Sequence, residues 1–149
     1  MEKSIQKIIA WTLEFLDMDS PEAREMVYKT GMAETGFRAI EQYGDGPAVG
    51  YFQVEPDTIN DTIVNYVSYR PNIQNKLWNL GFDEKDSAMR VMGNIPLQVA
   101  FCRLKYRRDK HALPKCGDIE AQAKYWKRIY NSYKGKGTIE HFMKANKDV

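Results

Sequence analysis

The chain has 149 residues, of which 43% are hydrophobic, 28% are charged and 12% are aromatic. This length suits one domain, so we expect residues 1–149 to form one unit around one core, and the aromatic content excludes a chain that is disordered throughout. Two cysteines are too few for a disulfide scaffold, and no uncharged run approaches the about 20 residues of a membrane-spanning helix.

The net charge of +2 hides an asymmetry along the chain. Residues 1–102 carry 9 basic and 15 acidic side chains, whereas residues 103–149 carry 13 basic and 5 acidic ones. A basic C-terminal third is typical either of a polyanionic partner or of solvated helix faces. A nucleic-acid groove would need aromatic residues among the basic ones. The run from Arg103 to Lys110 offers only Tyr106, so we expect no nucleic-acid partner.

The N-terminus predicts an amphipathic helix rather than a signal peptide. Apolar residues recur at helical spacing over residues 4–17, but charges interrupt them and no small-residue cleavage site follows. We therefore expect synthesis in the cytoplasm without a signal peptide. Cys102 and Cys116 lack a metal-binding or CxxC spacing, and His111 and His141 lie far apart. The sequence predicts no metal and no cofactor.

The later elements are predicted from residues that start and stop helices. Ser20 before Pro21 starts a second helix that runs towards Gly36. Three glycines and a proline within residues 43–53 demand turns, and we expect a small β-hairpin near residues 43–55. Further helices are predicted from Pro56, over 72–80, over a buried 95–108, from Asp118 to about Asn131, and from Thr138. The fold class is therefore mainly α, with about six to eight helices.

Glu34 is the first candidate for chemistry. It lies at the predicted C-terminal end of the second helix, just before Gly36. The partial negative charge of a helix C-terminus disfavours a carboxylate, and an apolar setting would raise the carboxyl pKa further. A carboxyl group that stays protonated near neutral pH suits a general acid. An isolated glutamate is otherwise an ordinary surface residue, so its neighbours decide between these roles.

Three segments surround Glu34 in a recognisable order. Residues 34–37 (Glu-Thr-Gly-Phe) precede residues 46–53 (Gly-Pro-Ala-Val-Gly-Tyr-Phe-Gln) and residues 55–58 (Glu-Pro-Asp-Thr), and later come Asn94-Ile95 and Tyr130-Asn131. This order resembles the catalytic domains of soluble lytic transglycosylases, a family of the lysozyme-like superfamily. Their pattern is Glu-Ser-x-Phe, Gly-Leu-Met-Gln, x-Pro-x-Thr, Asn-Ile and Tyr-Asn. The central segment is most similar to bacteriophage endolysins and virion-associated lysins.

The resemblance implies a lysozyme-like fold and an enzyme that cleaves peptidoglycan. Glu34 would protonate the β-1,4 glycosidic oxygen between N-acetylmuramic acid and N-acetylglucosamine. Substrate binding would fall to Thr35, Tyr51, Gln53, Tyr130 and Asn131. A lytic transglycosylase needs one carboxylate, whereas a muramidase needs a second one. Asp45 and Glu55 are the leading candidates for that second group, ahead of Asp57 and Glu41, although Asp45 also suits a turn and Glu55 a helix start.

Several of these side chains also have a structural reading. Thr35 could make a helix-end hydrogen bond, and Gln53 could be a buried structural hydrogen-bonder. Tyr130 could pack in the core, which is the role we expect for Trp126. The departures from the family pattern are Thr35 in place of serine, Tyr51-Phe52 in place of Leu-Met, and Ser132-Tyr133 in place of a small-residue pair after Tyr130-Asn131.

The resemblance also implies partners and a site of action. We expect a monomer that acts on the glycan strands of periplasmic peptidoglycan, either after holin-type release or as part of a virion. Attraction to anionic cell-wall or outer-membrane components would suit the basic C-terminal third. The alternative is a non-catalytic cell-wall-binding module on the same fold, with the basic surface as its functional part.

Overall fold

The computed structural model describes residues 2–38, 46–131 and 135–149. These residues form eight α-helices, which confirms the mainly α prediction. They are α1 (Glu2–Phe15), α2 (Pro21–Glu34), α3 (Pro56–Asn65), α4 (Pro71–Asn79), α5 (Ser87–Met92), α6 (Ile95–Arg107), α7 (Ile119–Tyr125) and α8 (Ile139–Ala145). A 3₁₀ turn covers Val67–Tyr69, and a π-helical segment, Trp126–Asn131, continues α7. No helix in the described ranges is long and apolar enough to cross a membrane.

Side-chain caps explain why several helices begin where they do. An N-cap side chain accepts a hydrogen bond from the backbone N–H three residues further on, which satisfies a group that has no partner inside the helix. This bond is 3.0–3.1 Å long at Ser20, Asn94, Asp118 and Thr138. Prolines at Pro21, Pro56 and Pro71 occupy first-turn positions, where the missing N–H costs nothing.

The predicted β-hairpin near residues 43–55 is not seen. Within residues 46–55 one antiparallel bridge joins Val49 and Val54, with N–H···O distances of 3.0 and 3.1 Å, and no strand forms. Positive φ angles of +80° at Gly50 and +53° at Gln53 turn the chain at once, so the pairing cannot lengthen inwards. It cannot lengthen outwards either, because α3 begins at Pro56. Residues 43–45 lie outside the described residues.

The sequence did not predict α5. Of its six residues only Val91 is buried, and Met89 is 65% exposed. A helix this short with one inward residue has no apolar stripe that periodicity could detect. It starts directly after Asp86, whose φ of +56° reverses the chain.

Helix α6 is the central buried helix that its apolar pattern predicts. Leu97, Phe101 and Leu104 are at most 1% exposed. The helix contacts α1, α2, α3, α5 and the π-helical segment. Residues two apart on an α-helix point about 200° away from each other, so Arg103 and Lys105 lie on opposite sides of α6. The positive charges of these two residues therefore face different parts of the molecule.

Candidate active site at the end of helix α2

Glu34 is the last residue of α2, and a tight turn follows it. Gly36 and Phe37 adopt φ angles of +63° and +59°, which bring the Phe37 ring back onto the helix. A Cβ atom at Gly31 would lie 2.2 Å from Cζ of that ring. Only glycine leaves room there, so the Gly31–Phe37 contact fixes the course of the chain next to Glu34.

The Glu34 carboxyl meets the indole of Trp126. Trp126 Nε1 donates a hydrogen bond to Glu34 Oε2 at 2.9 Å, and Trp126 is only 1% exposed. Burial raises the pKa of Glu34 to about 7, although the Trp126 hydrogen bond and the charge of Lys105 both act to lower it. The carboxyl is therefore held in one orientation and changes protonation near neutral pH.

Lys105 supplies the positive charge near Glu34. Its Nζ donates to the Tyr130 carbonyl oxygen at 2.7 Å and lies 4.4 Å from the centre of the Tyr130 ring. Burial lowers the pKa of Lys105, while the negative charges of Glu34 and Glu55 act to raise it. Lys105 therefore lies within electrostatic range of both carboxylates.

Thr35 connects the end of α2 to the loop at residues 50–53. Its hydroxyl donates to the Tyr51 carbonyl oxygen at 2.7 Å and accepts the Phe37 N–H at 3.1 Å. The Tyr51 N–H in turn donates to Gln98 Oε1 of α6 at 3.0 Å. A Cβ atom at Gly50 would lie 2.8 Å from the Gln98 side chain. The Thr35 hydroxyl thus makes structural hydrogen bonds, and it holds this loop beside Glu34.

Gln53 lies partly buried in the same loop. Its Nε2 donates to the Gly50 carbonyl oxygen at 2.9 Å, which closes the turn. Among the described residues no donor contacts its amide oxygen. Among these residues that oxygen is free to accept a hydrogen bond from a ligand. The other predicted binding group of the loop is the half-buried ring of Tyr51, which packs edge-on against Phe37 with the ring centres 5.7 Å apart.

Tyr130 and Asn131 lie in the π-helical segment, behind the loop. Tyr130 is 5% exposed, its hydroxyl donates to the Phe52 carbonyl oxygen at 2.5 Å, and its ring stacks on Tyr106. Asn131 Oδ1 accepts from Lys127 Nζ at 2.8 Å. The structure therefore builds Tyr130 into the core as a support for the loop, and ties Asn131 to its own segment.

Of the two leading candidates for a second carboxylate, Glu55 lies within the described residues. Glu55 is exposed at the N-cap position of α3 and makes no capping hydrogen bond with its side chain. It therefore does not cap the helix, and its charge acts on Lys105. Asp45 lies outside the described residues.

Three residues of the site were missed at the sequence level. Trp126 is core, as expected, but its indole N–H also orients Glu34. Lys105 was grouped with a basic surface and lies instead beside Glu34. His141 Nε2 donates to the Ala33 carbonyl oxygen at 2.7 Å, at the end of α2. For Trp126, the sequence did offer a signal: it precedes Tyr130, a predicted binding residue, by about one helical turn, so the two residues lie on a similar face.

Comparison with protein-family models, curated proteins and solved structures finds no match for this chain. What the residues themselves offer is a partly buried carboxyl that titrates near neutral pH, with one oxygen occupied by an indole N–H and a cation nearby. Such a group can donate a proton to a bound ligand and take one back.

Proposed function

We propose that the protein cleaves peptidoglycan at the β-1,4 bond between N-acetylmuramic acid and N-acetylglucosamine, with Glu34 as the general acid. The observation that carries the proposal is the Glu34 carboxyl, whose pKa burial raises to about 7 and which Trp126 orients. The order of sequence segments that resembles the lytic transglycosylases supports it. The fold we propose is lysozyme-like, with Glu34 at the end of α2 beside the central helix α6.

The proposed reaction starts with proton transfer from Glu34. Because the Trp126 N–H occupies Oε2, the acidic proton is carried on Oε1 and passes to the glycosidic oxygen. The bond between that oxygen and the anomeric carbon of the muramoyl residue breaks as the proton arrives. The resulting carboxylate is stabilised by the Trp126 hydrogen bond and by the charge of Lys105. These interactions favour the ionised form that the step creates.

The second half of the reaction has two versions. In a lytic transglycosylase, the Glu34 carboxylate takes the proton of the muramoyl 6-hydroxyl, which attacks the anomeric carbon and forms a 1,6-anhydro sugar. In a muramidase, a second carboxylate either activates water or forms a covalent intermediate. Glu55 is the described candidate, since its charge also acts on Lys105. The anhydro product is lighter by one water than the hydrolysed one, so product mass separates the two versions.

The proposed biological setting follows from the substrate. The protein would act as a monomeric single catalytic domain on periplasmic peptidoglycan, delivered after holin-type release or within a virion. Anionic components of the cell wall or outer membrane would attract the basic surface.

The proposal is tested by substituting Glu34 and a matched control. Glu34→Gln keeps the shape of the side chain and an acceptor for the Trp126 N–H, but it has no acidic proton. Glu120, which is exposed and forms an ion pair with Lys124 at the surface, provides Glu120→Gln as the control. We expect purified sacculi to be solubilised by the wild type and by Glu120→Gln, and not by a folded Glu34→Gln. Full lytic activity of Glu34→Gln would show that another group is the acid.

A second candidate function is a non-catalytic wall-binding module. The observation in its favour is the basic C-terminal third, in which Arg107, Arg108 and Lys110 are exposed. Co-sedimentation of the protein with sacculi at increasing salt, combined with product analysis, separates the two. Strong salt-sensitive binding without any soluble product from the wild type would favour the module.

A further inference from the structure

A cavity of about 460 Å³ lies on the side of α6 that carries Arg103, away from Lys105 and Glu34. This volume falls within the range of small-molecule sites, about 300–1,000 Å³. The basic and acidic side chains of its lining are those of Arg103, Arg107, His111, Lys115, Glu22 and Asp109. The first four are basic residues, so the cavity gathers part of the basic C-terminal third into a concave site.

Arg103 is the unusual member of this lining, because its side chain is mostly buried and no described carboxylate pairs with it. It is 8% exposed, and its Nε donates to the Met18 carbonyl oxygen at 3.3 Å. Within the described part of the chain it makes no other hydrogen bond, and no carboxylate lies within 4.0 Å of it. Burial lowers the pKa of Arg103, and the neighbouring Arg107 charge lowers it further. A mostly buried guanidinium that no described carboxylate pairs with is unfavourable, and an anion in the cavity would relieve it.

The carboxylates of the cavity do not serve as that anion. Asp109 accepts the His111 N–H at 3.0 Å and lies 3.6 Å from Arg128. Although burial alone would raise the pKa of Asp109, its hydrogen bonds to His111 hold the pKa below the ordinary value. Glu22, in the first turn of α2, lies beyond ion-pair distance of Arg103. The two acids therefore leave the guanidinium uncompensated.

We propose that this cavity binds a phosphate group, with Arg103 and Arg107 as its guanidinium ligands. The two residues are one helical turn apart on α6, so their side chains are neighbours on the same face. Planar guanidinium groups match the oxygens of a phosphate, and a pair of them can share one. The remaining volume holds the small organic body that carries the phosphate. The site is independent of the proposed glycosidic reaction, since it lies on the opposite side of α6 from Lys105.

The test is a titration of the full chain with inorganic phosphate at constant ionic strength, followed by the Nε–H NMR signal of Arg103. We expect a saturable shift of that signal. The affinity should fall at least about tenfold in Arg107→Gln, because a charge-assisted hydrogen bond is lost. Arg90→Gln is the matched control, since Arg90 is exposed on α5 and bonded to the Lys85 carbonyl; its affinity should equal that of the wild type. No saturable shift, or equal weakening in both variants, would overturn the proposal.

Two further arms make the result specific. Arg103→Met keeps most of the side-chain volume and removes the buried charge. Because this variant lacks the Arg103 signal, its phosphate binding is measured by isothermal titration calorimetry alongside the wild type, and we expect a folded protein without saturable binding. Wild-type affinity for phosphate in this variant would overturn the site. Acetate at the same ionic strength should bind more weakly than phosphate, and equal binding would reject the phosphate assignment. Glycerol phosphate and a hexose phosphate, compared with inorganic phosphate, then identify the organic body.

Discussion

Opposing effects set the pKa of the Glu34 carboxyl. Burial favours its neutral form, whereas the Trp126 hydrogen bond and the Lys105 charge favour its ionised form. The balance places the pKa at about 7, which suits a group that must both give and take a proton near neutral pH. The packing around Glu34 therefore determines whether its carboxyl can act as an acid near neutral pH.

The pH dependence of the reaction should report this residue. Because Glu34 must be protonated to act, we expect kcat/KM to decrease as the pH rises through about 7. Trp126→Phe removes a hydrogen bond that lowers the pKa, so the decrease should move to higher pH. Initial rates of sacculus solubilisation across the pH range measure both. An unchanged alkaline limb in a folded Trp126→Phe protein would show that the indole does not act on the acid.

The same raised pKa makes a prediction about stability. The native carboxyl holds its proton more tightly than an unfolded one with a pKa of 4.5. The free energy of unfolding should therefore decrease as the pH rises from about 4.5 to about 7. Glu34→Gln should remove this dependence and gain about 1–3 kcal/mol above pH 7. Urea unfolding of both proteins at acidic and alkaline pH is the measurement, and a less stable variant at alkaline pH would contradict it.

The sequence could locate Glu34 but not its partners. A helix end before glycine, followed by the family-like segments, is a local signal. Trp126 is 92 positions away from Glu34, so its contact depends on how α7 and the π-helical segment pack. The Thr35 and Tyr130 hydroxyls show the same limit, because each bonds to a loop carbonyl that no spacing along the chain identifies.

At the scale of elements, the turn after α2 depends on Gly31. The Phe37 ring that lies on it is also packed against Tyr28, Tyr51 and Phe52, so the ring has little room to move. The turn, the loop at residues 50–53 and the end of α2 are therefore one packed unit beside Glu34.

Gly31→Ala tests this unit. Alanine is the better helix former by about 1 kcal/mol, but the added Cβ would clash with the Phe37 ring at 2.2 Å. Overpacking costs about 1–3 kcal/mol or more, so we expect net destabilisation and reduced activity. Gly93→Ala is the control, because its nearest contact would be an ordinary 3.5 Å. Thermal unfolding by circular dichroism compares them, and a Gly31→Ala protein more stable than the wild type would contradict the expected clash.

Helix starts were predictable, but the irregular elements were not. Ser20, Asp118 and Thr138 act locally as caps, and each begins a helix as predicted. The change from α to π geometry at Trp126 has no local signature. It accompanies tertiary contacts, since Lys127 Nζ donates to the carbonyl oxygens of Gly135 and Gly137 at 3.0 and 2.5 Å.

At the scale of the whole molecule, the basic run of α6 does not form a single surface. Lys105 lies beside Glu34, and Arg103 borders the cavity on the other side of the helix. Arg108 pairs with Asp61 of α3 at 2.6 Å. The number of basic residues follows from the sequence, but the surfaces that they occupy do not. Helical periodicity places neighbouring residues on different sides of the axis, and the packing decides what each side contacts.

The most direct test of the proposed function is mass spectrometry of purified sacculi digested by the wild type and by Glu34→Gln. For the wild type we predict soluble fragments that end in muramic acid, either as the 1,6-anhydro sugar or as the reducing sugar heavier by one water. For a folded Glu34→Gln protein we predict no such fragments. Muramic ends released equally by Glu34→Gln, or no cleaved glycosidic bond with the wild type, would contradict Glu34 as the acid of a peptidoglycan-cleaving enzyme.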